Sequence, residues 1–247
     1  MRTALLADVH SNLEALLACL AHAREQGADR YAFLGDLVGY NADPVRCLEI
    51  VAELVQSGAR AVAGNHDQAT LGGSCEELHS VAREAVYWTR TQLGGHHRAF
   101  LESLPLTRRE GDVLYAHANA RTPQNWEYVV SANHAAQCIG ATDARIVFLG
   151  HVHQGLLYHG PGRDSLRAFL PVPGVPIPLL PRRNYVIIAG SVGQPRDGIP
   201  AAQYGIHDDV AGTFVSHRVP YDYQSAAAKV LAAGLPARLA LRLEVGR

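Results

Sequence analysis

Five short apolar runs along this chain stop abruptly at a carboxylate, a carboxamide or an imidazole. That recurrence constrains the fold more than any other feature. Residues 3–7 lead into Asp8-Val9-His10, residues 31–34 into Gly35-Asp36, and residues 60–63 into Gly64-Asn65-His66-Asp67. Residues 113–116 lead into His117, and residues 145–149 into Gly150-His151-Val152-His153. Runs this short and this apolar read as buried strands, and polar residues just past strand ends belong where open α/β sheets build their sites. The intervening segments have helical spacing. Ser11 is expected to cap a helix, with Glu14 completing a capping box, and Leu13, Leu16, Leu17 and Leu20 run on to Gly27. Pro44 opens a second helix that continues through Leu48, Val51 and Val55 to Gly58. The order βαβαβ predicts parallel strands with helical crossovers.

Further along, residues 76–104 read as two helices broken at Gly94-Gly95, with His96 and His97 on a solvated face. Residues 161–181 hold six of the 13 prolines and are expected to be an irregular excursion or edge hairpin outside the core. Residues 185–189, 202–207 and 213–218 read as strands. A helical tail follows over about 222–247, interrupted at Gly234-Leu235-Pro236. No repeat or linker divides the chain, so a single domain over 1–247 is expected.

Composition narrows the functional classes. Charged residues are 18% against a usual share of about 25%, and hydrophobic residues are 48%, which excludes general disorder. A net charge of −1 offers no global field for nucleic acid, so nucleic-acid binding is not expected. Cys19, Cys47, Cys75 and Cys138 form no C-x-x-C pair and read as reduced thiols. The first apolar run is too short for a signal-peptide core, and no run reaches the length of a membrane span. The cytoplasm is the expected compartment, with no membrane partner.

Asp8 and His10 lie two apart, as do His151 and His153, so extended backbone would point each pair the same way. Carboxylates, imidazoles and one carboxamide make a mixed N/O donor set that suits Mn²⁺, Fe or Zn²⁺ better than Ca²⁺ or Mg²⁺. The set is large enough for two ions if one carboxylate bridges them. An isolated Asp-x-His, Gly-Asp or strand-end histidine is ordinarily structural. Gly-Asn-His-Asp and Gly-His-x-His are far more specific, and all five groups in one order leave little to chance.

The sequence resembles the calcineurin-like metallophosphoesterases, in particular small bacterial and archaeal phosphodiesterase-like members without a cap domain. Their signature of D-x-H, G-D, G-N-H-[DE], a lone His and G-H-x-H is matched across roughly residues 1–220. The resemblance implies an α/β fold: a two-sheet β sandwich flanked by helices in four layers, αββα. It also implies a phosphoric ester hydrolase acting on a small phosphorylated substrate. By the same resemblance, Asp8, His10, Asp36 and His153 would hold one divalent ion. Asp36, Asn65, His117 and His151 would hold the second, with Asp36 bridging. Manganese is favoured for activity. A hydroxide between two such ions would attack phosphorus in line. His66 would serve as acid or transition-state stabiliser, and Asp67 would support the loop.

The chain also departs from its relatives. The Ser/Thr protein phosphatases of this superfamily carry G-D-x-x-D-R-G, whereas here the run is Gly35-Asp36-Leu37-Val38-Gly39-Tyr40-Asn41. The absent Asp and Arg weaken a phosphoprotein or dinucleoside-polyphosphate phosphatase reading, and they leave His66 without an orienting carboxylate. Ala118 stands where Gly usually follows the lone His, and Val152 and Gly155 stand where Thr and Pro are frequent. Asn12 and Arg196 are candidate substrate contacts, against a helix-start role for Asn12 and a salt bridge to Asp197 for Arg196. Trp126 could pack against a ring, although aromatic residues are more often core. The rival class is a metal-binding scaffold without catalysis, which the retention of every ligand and His66 disfavours.

Overall fold

The computed structural model describes residues 1–76 and 78–247. The chain opens with β1 (Arg2–Leu6), α1 (Leu13–Glu25), β2 (Arg30–Leu34), α2 (Pro44–Gln56), β3 (Arg60–Val62) and the short α3 (Asn65–Thr70). Then follow α4 (Ser80–Gln92), α5 (Gly95–Glu102), β4 (Thr107–Glu110), β5 (Val113–Ala116), α6 (Ala132–Gly140) and β6 (Ile146–Leu149). The remainder is β7 (Leu156–Gly160), β8 (Arg167–Phe169), β9 (Ile177–Pro178), β10 (Asn184–Ile188), β11 (Ala202–Asp208), β12 (Thr213–Val219), α7 (Tyr223–Ala232) and α8 (Ala237–Val245).

The strands form two six-stranded sheets, ordered β3-β2-β1-β11-β12-β9 and β4-β5-β6-β10-β7-β8. The β1, β2 and β3 neighbours are parallel, as the βαβαβ pattern predicts. Both sheets are mixed, because β11 and β7 return antiparallel beside β1 and β10. Period-2 alternation explains why these strands read as unbroken apolar runs. In β1 and the residue after it, Leu5 and Ala7 face the other sheet, while Ala4 and Leu6 face helices. In β6, Ile146 and Phe148 point inward, and Val147 and Leu149 point outward. α1 and α2 cover the outer face of the first sheet, and α6 covers that of the second. The result is the expected αββα sandwich.

Three local expectations are corrected. Asn12, not Ser11, caps α1: its Oδ1 accepts from Ala15 N at 3.1 Å, while Ser11 sits at φ 57°. His97 is buried rather than solvated, and its Nδ1 accepts from Gly94 N at the start of α5. The proline-rich segment is not wholly outside the core. It supplies β8 to the edge of one sheet and β9 to the edge of the other, and Leu179 is buried between them. Proline at such edges leaves no ladder donor missing. All four cysteines are free and buried. Among the described residues no helix is long and apolar enough to cross a membrane.

On the outer face of the first sheet, His217 of β12 stacks on Tyr204 of β11 and meets His22 of α1. Burial, with His22 adding to it, pushes His217 down to about 4. Between that value and the unfolded value near 6.5 the unfolded chain binds the extra proton, so stability falls as pH drops through this window. His217→Phe keeps the stack and removes this contribution. The difference in urea midpoint between pH 7 and pH 4.5 is expected to shrink in the variant, and an unchanged difference would refute the assignment.

Candidate metal centre

The polar residues that follow β1, β2, β3, β5 and β6 meet at one edge of the sandwich. They arrive by left-handed backbone, not extended chain. Asp8 (φ 54°), His10 (47°), Asp36 (52°), His151 (68°) and His153 (62°) all lie in the αL region. The extended-strand argument for Asp8/His10 and His151/His153 is therefore corrected: each pair converges through a tight turn past its strand end. αL backbone in a residue with a Cβ costs roughly 1–2 kcal/mol, least for Asp, Asn and His. Ser11, Tyr40 and Trp126 are the other non-glycine residues with positive φ among those described, and they adjoin the same cluster.

Glycines make room for the convergence. A Cβ on Gly64 would stand 2.1 Å from Asp36 Oδ1, and one on Gly39 (φ 95°) 2.7 Å from His66 Nδ1. Asp67 ties the loops together by accepting from Leu37 N (2.9 Å), Val38 N (3.1 Å) and Gly64 N (2.9 Å). Asn41 holds the other side, donating to the carbonyl of His10 at 2.8 Å.

Backbone carbonyls set the histidine tautomers. His10 Nδ1 donates to Val38 O (3.1 Å) and His153 Nδ1 to Gln194 O (2.6 Å). His117 Nδ1 donates to Leu34 O (2.8 Å) and His151 Nε2 to Trp126 O (2.9 Å). A carbonyl can only accept, so in each neutral ring the other nitrogen carries a lone pair. Those lone pairs face one another and the carboxylates. His10 Nε2 and His153 Nε2 are 3.1 Å apart, with Asp8 Oδ1 3.2 Å from His153 Nε2 and Asp36 Oδ2 3.5 Å from His10 Nε2. His117 Nε2 lies 3.1 Å from His151 Nδ1, 3.1 Å from Asn65 Oδ1 and 3.3 Å from Asp36 Oδ2.

With the rings neutral these are two groups of acceptors sharing Asp36. Asp8, His10, Asp36 and His153 form one group able to hold a cation; Asp36, His117 and His151 form the other, with the Asn65 oxygen beside it. The donor set fits divalent metals, and the carbonyl partners are the outer support that orients imidazole ligands. Burial opposes protonation of His10, and it lowers His151 to about 3. His117 behaves differently: burial opposes its charge, but Asp36, with Asp8 and the Leu34 carbonyl adding to it, outweighs burial and pushes it up to about 9. Without metal, a proton on His117 takes a cation's place beside Asp36, so metal must displace it.

His66 is close to both groups without belonging to either. Its ring lies 4.9 Å from that of His10 and 4.5 Å from that of Tyr40. Its Nδ1 is sealed from solvent without a partner, and burial lowers the ring to about 4, which keeps it neutral. His66 lines an open cavity of about 280 Å³ together with Asp36, Asn65, Tyr40, Arg196 and Arg242.

The remaining candidates divide. Arg196 faces that cavity, and Asp197 pairs with Arg218 instead of with Arg196. Asn12 has no free polar group toward the cavity: its amide donates to Gly193 O at 2.9 Å and to Tyr221 at 3.4 Å, and its oxygen caps α1. Trp126 is half-buried outside the core and lines a second hollow of about 410 Å³. Sequence reasoning missed Tyr128, whose exposed ring stacks on His151 at 3.9 Å, and Arg242 on α8. No spacing rule marks either one: Tyr128 lies on the long loop after His117, and Arg242 reaches the site from the distant α8.

This fold, carrying two acceptor groups that share one carboxylate, is that of a metallophosphoesterase. The chain belongs to the calcineurin-like phosphoesterase superfamily, whose domain model matches residues 1–210. It is similar to a metallophosphoesterase from Sphaerobacter thermophilus, at 38% identity and a TM-score of 0.89, covering 100% of this chain and 99% of that one. An uncharacterised protein of Methanocaldococcus jannaschii is 35% identical over 249 residues, covering 99% of this chain and 98% of its own. A Pyrococcus horikoshii protein at 17% identity shares the fold, with a TM-score of 0.81 over 100% of this chain and 98% of that one.

Asp36→Asn removes the shared charge while keeping an oxygen for the backbone N–H of His66, which Asp36 Oδ1 accepts at 2.8 Å. Elemental analysis after dialysis is expected to fall from two ions per chain to one or none. Stability of the metal-free chain is also expected to drop, toward the roughly 3–5 kcal/mol lost when a buried charge pair loses one partner, because Asp36 is paired with His117. Two ions retained by the variant would overturn the shared role of Asp36.

Proposed function

We propose that the protein is a dinuclear metal-dependent phosphodiesterase acting on a small phosphorylated substrate, with Asp8, His10, Asp36 and His153 holding one ion and Asp36, Asn65, His117 and His151 the other. The single observation that carries the diester preference is the position of the cluster between two hollows. The cavity of about 280 Å³ and that of about 410 Å³ share Asn65, Tyr128 and His151 in their walls. A phosphorus atom at that shared wall would have room for a substituent on each side. The mixed N/O donor set favours manganese, iron or zinc, and manganese is the ion we expect to support activity.

Two divalent ions would supply Lewis-acid polarisation of the phosphoryl oxygens and a water acidified toward neutral pH. The chain's own residues do the rest. Asp8 and Asp36 bring the negative charge that makes the site select a cation. The four carbonyl-bonded histidines keep their lone pairs aimed inward. His66, neutral and fixed between Gly39, Tyr40 and His10, presents the open edge of its ring to the cavity. An N–H there would stabilise charge developing on the leaving-group oxygen, a contribution worth typically about 10²–10⁴-fold. Gly39 and Tyr40 stand where protein phosphatases carry an acid and a phosphate-gripping arginine. This supports a small diester over a phosphoprotein or a dinucleoside polyphosphate. The presence of His66 in the open cavity supports catalysis over a scaffold role.

The test is hydrolysis of bis-p-nitrophenyl phosphate and p-nitrophenyl phosphate by protein stripped with chelator and reloaded with Mn²⁺. The diester is expected to turn over faster, and His66→Ala is expected to lower kcat about 10²–10⁴-fold with both ions still bound. Faster monoester turnover would overturn the diesterase reading. Full activity in His66→Ala would remove its role, and no turnover with any divalent ion would favour the scaffold.

A further inference from the structure

The superfamily model matches residues 1–210, so α7 and α8 lie beyond the matched span. α8 nevertheless forms part of the cavity wall. Arg242 lines the cavity beside His66, Tyr40 and Arg196, and with Arg238 and Tyr40 it lines an adjoining hollow of about 230 Å³. The helix is held there by its apolar face, with Leu239, Ala240 and Leu243 packed among α7 residues, Ala82, Ala85 and Tyr40. Arg242 is therefore delivered to the site by core packing and not by any partner of its own charge.

Arg196 and Arg242 converge on one weak acceptor. Arg196 Nη2 donates to Gln194 Oε1 at 3.2 Å, and Arg242 Nη1 to the same oxygen at 3.4 Å. Arg196 Nη2 also reaches Tyr40 Oη at 3.4 Å. Arg196 Nε and Gln194 Nε2 are sealed from solvent with no acceptor. Among the described residues no carboxylate lies within 4.0 Å of either guanidinium, the adjacent Asp197 being taken by Arg218. Burial and the charge of Arg196 both depress the Arg242 pKa. Two guanidiniums sharing one neutral oxygen repel each other, and an anion between them relieves both the repulsion and the unmade hydrogen bond. Their place relative to the chemistry follows from Tyr40. Its ring centre is 4.5 Å from that of His66 and 5.9 Å from the Arg196 guanidinium carbon. The arginines thus stand one aromatic ring beyond the histidine assigned to the leaving group.

We propose that Arg242 and Arg196 form an anion subsite that selects phosphate esters carrying a second anionic group, a phosphate or diphosphate, on the leaving-group side. Planar guanidinium forks suit such oxygens in bidentate fashion. The position of the subsite rests on the phosphodiesterase reading above; its existence does not.

The probe is inorganic pyrophosphate, titrated calorimetrically into the metal-free full-length chain, with orthophosphate for comparison. One site is expected, at least tenfold tighter for pyrophosphate than for orthophosphate. Arg242→Gln and Arg196→Gln should each weaken pyrophosphate at least tenfold, and Arg242→Lys should recover part of the loss. Arg167→Gln, on the exposed edge strand β8, removes the same charge elsewhere and should leave the affinity unchanged. Thermal melts of each variant check folding. Absence of pyrophosphate binding, or equal weakening by Arg167→Gln, would overturn the subsite even if the Mn²⁺-loaded enzyme hydrolyses diesters. Arginine-dependent binding without hydrolysis of any phosphoester would instead sink the phosphodiesterase reading and leave the subsite standing.

Discussion

The structure depends on one electrostatic constraint: two groups of metal-type donor atoms are pressed together around Asp36, and a proton on His117 is what joins them to it when no metal is bound. Four histidines take part, and each has an N–H bonded to a backbone carbonyl, of Val38, Gln194, Leu34 or Trp126. The rings cannot turn a donor inward without abandoning those carbonyls, and buried polar groups are costly to leave unpaired. The arrangement is therefore held against its own repulsion by elements far from it. Both sheets, buried on two faces, fix the strand ends. Asp67 and Asn41 then stitch the loops with hydrogen bonds to backbone.

Much of this was legible in the sequence. The parallel unit β1-α1-β2-α2-β3 and the strands β5, β6, β10, β11 and β12 were readable because apolar runs and helical spacing report burial directly. The metal-type residues were readable because every one follows a strand end. The boundaries were less secure. Ser11 and Asn12 are both good capping residues, and the choice was made by Ser11 entering αL backbone inside the site turn. The loop geometry was not readable either: alternation holds within a strand, and Asp8, His10, His151 and His153 lie past the ends of theirs.

What stayed hidden depended on tertiary placement. Short edge strands such as β8 and β9 carry too little pattern to announce themselves, and proline in that segment reads as irregular structure until the sheet edges are known. Tyr128 and Arg242 have no motif. Tyr128 becomes part of the site because the αL turn at Trp126 brings the loop over His151, and Arg242 because α8 docks its opposite face on α7 and α4. Residues recruited in this way can vary without disturbing the metal centre, which is where a common chemistry would be tuned to a particular substrate.

The same residue types serve structure and chemistry here, and what separates them is what each one faces. Asn12 has every polar atom engaged by Ala15, Gly193 or Tyr221, and it builds the start of α1. Asn65, two strands away, turns its oxygen toward a histidine lone pair. His97 accepts from Gly94 and shapes a helix end, while His66 stands between Gly39 and Tyr40 in the wall of the cavity. Arg218 pairs with Asp197, whereas Arg196, immediately before that acid, is left with a shared carboxamide oxygen and the Tyr40 hydroxyl. Unmade bonds in a well-packed interior are unfavourable, and two of them, at His66 Nδ1 and Arg196 Nε, belong to residues that line one cavity. The simplest physical account is that the missing partners are a cation on the floor and an anionic substrate on the rim. The two needs have opposite sign, and a metal-bound phosphate ester meets both at once.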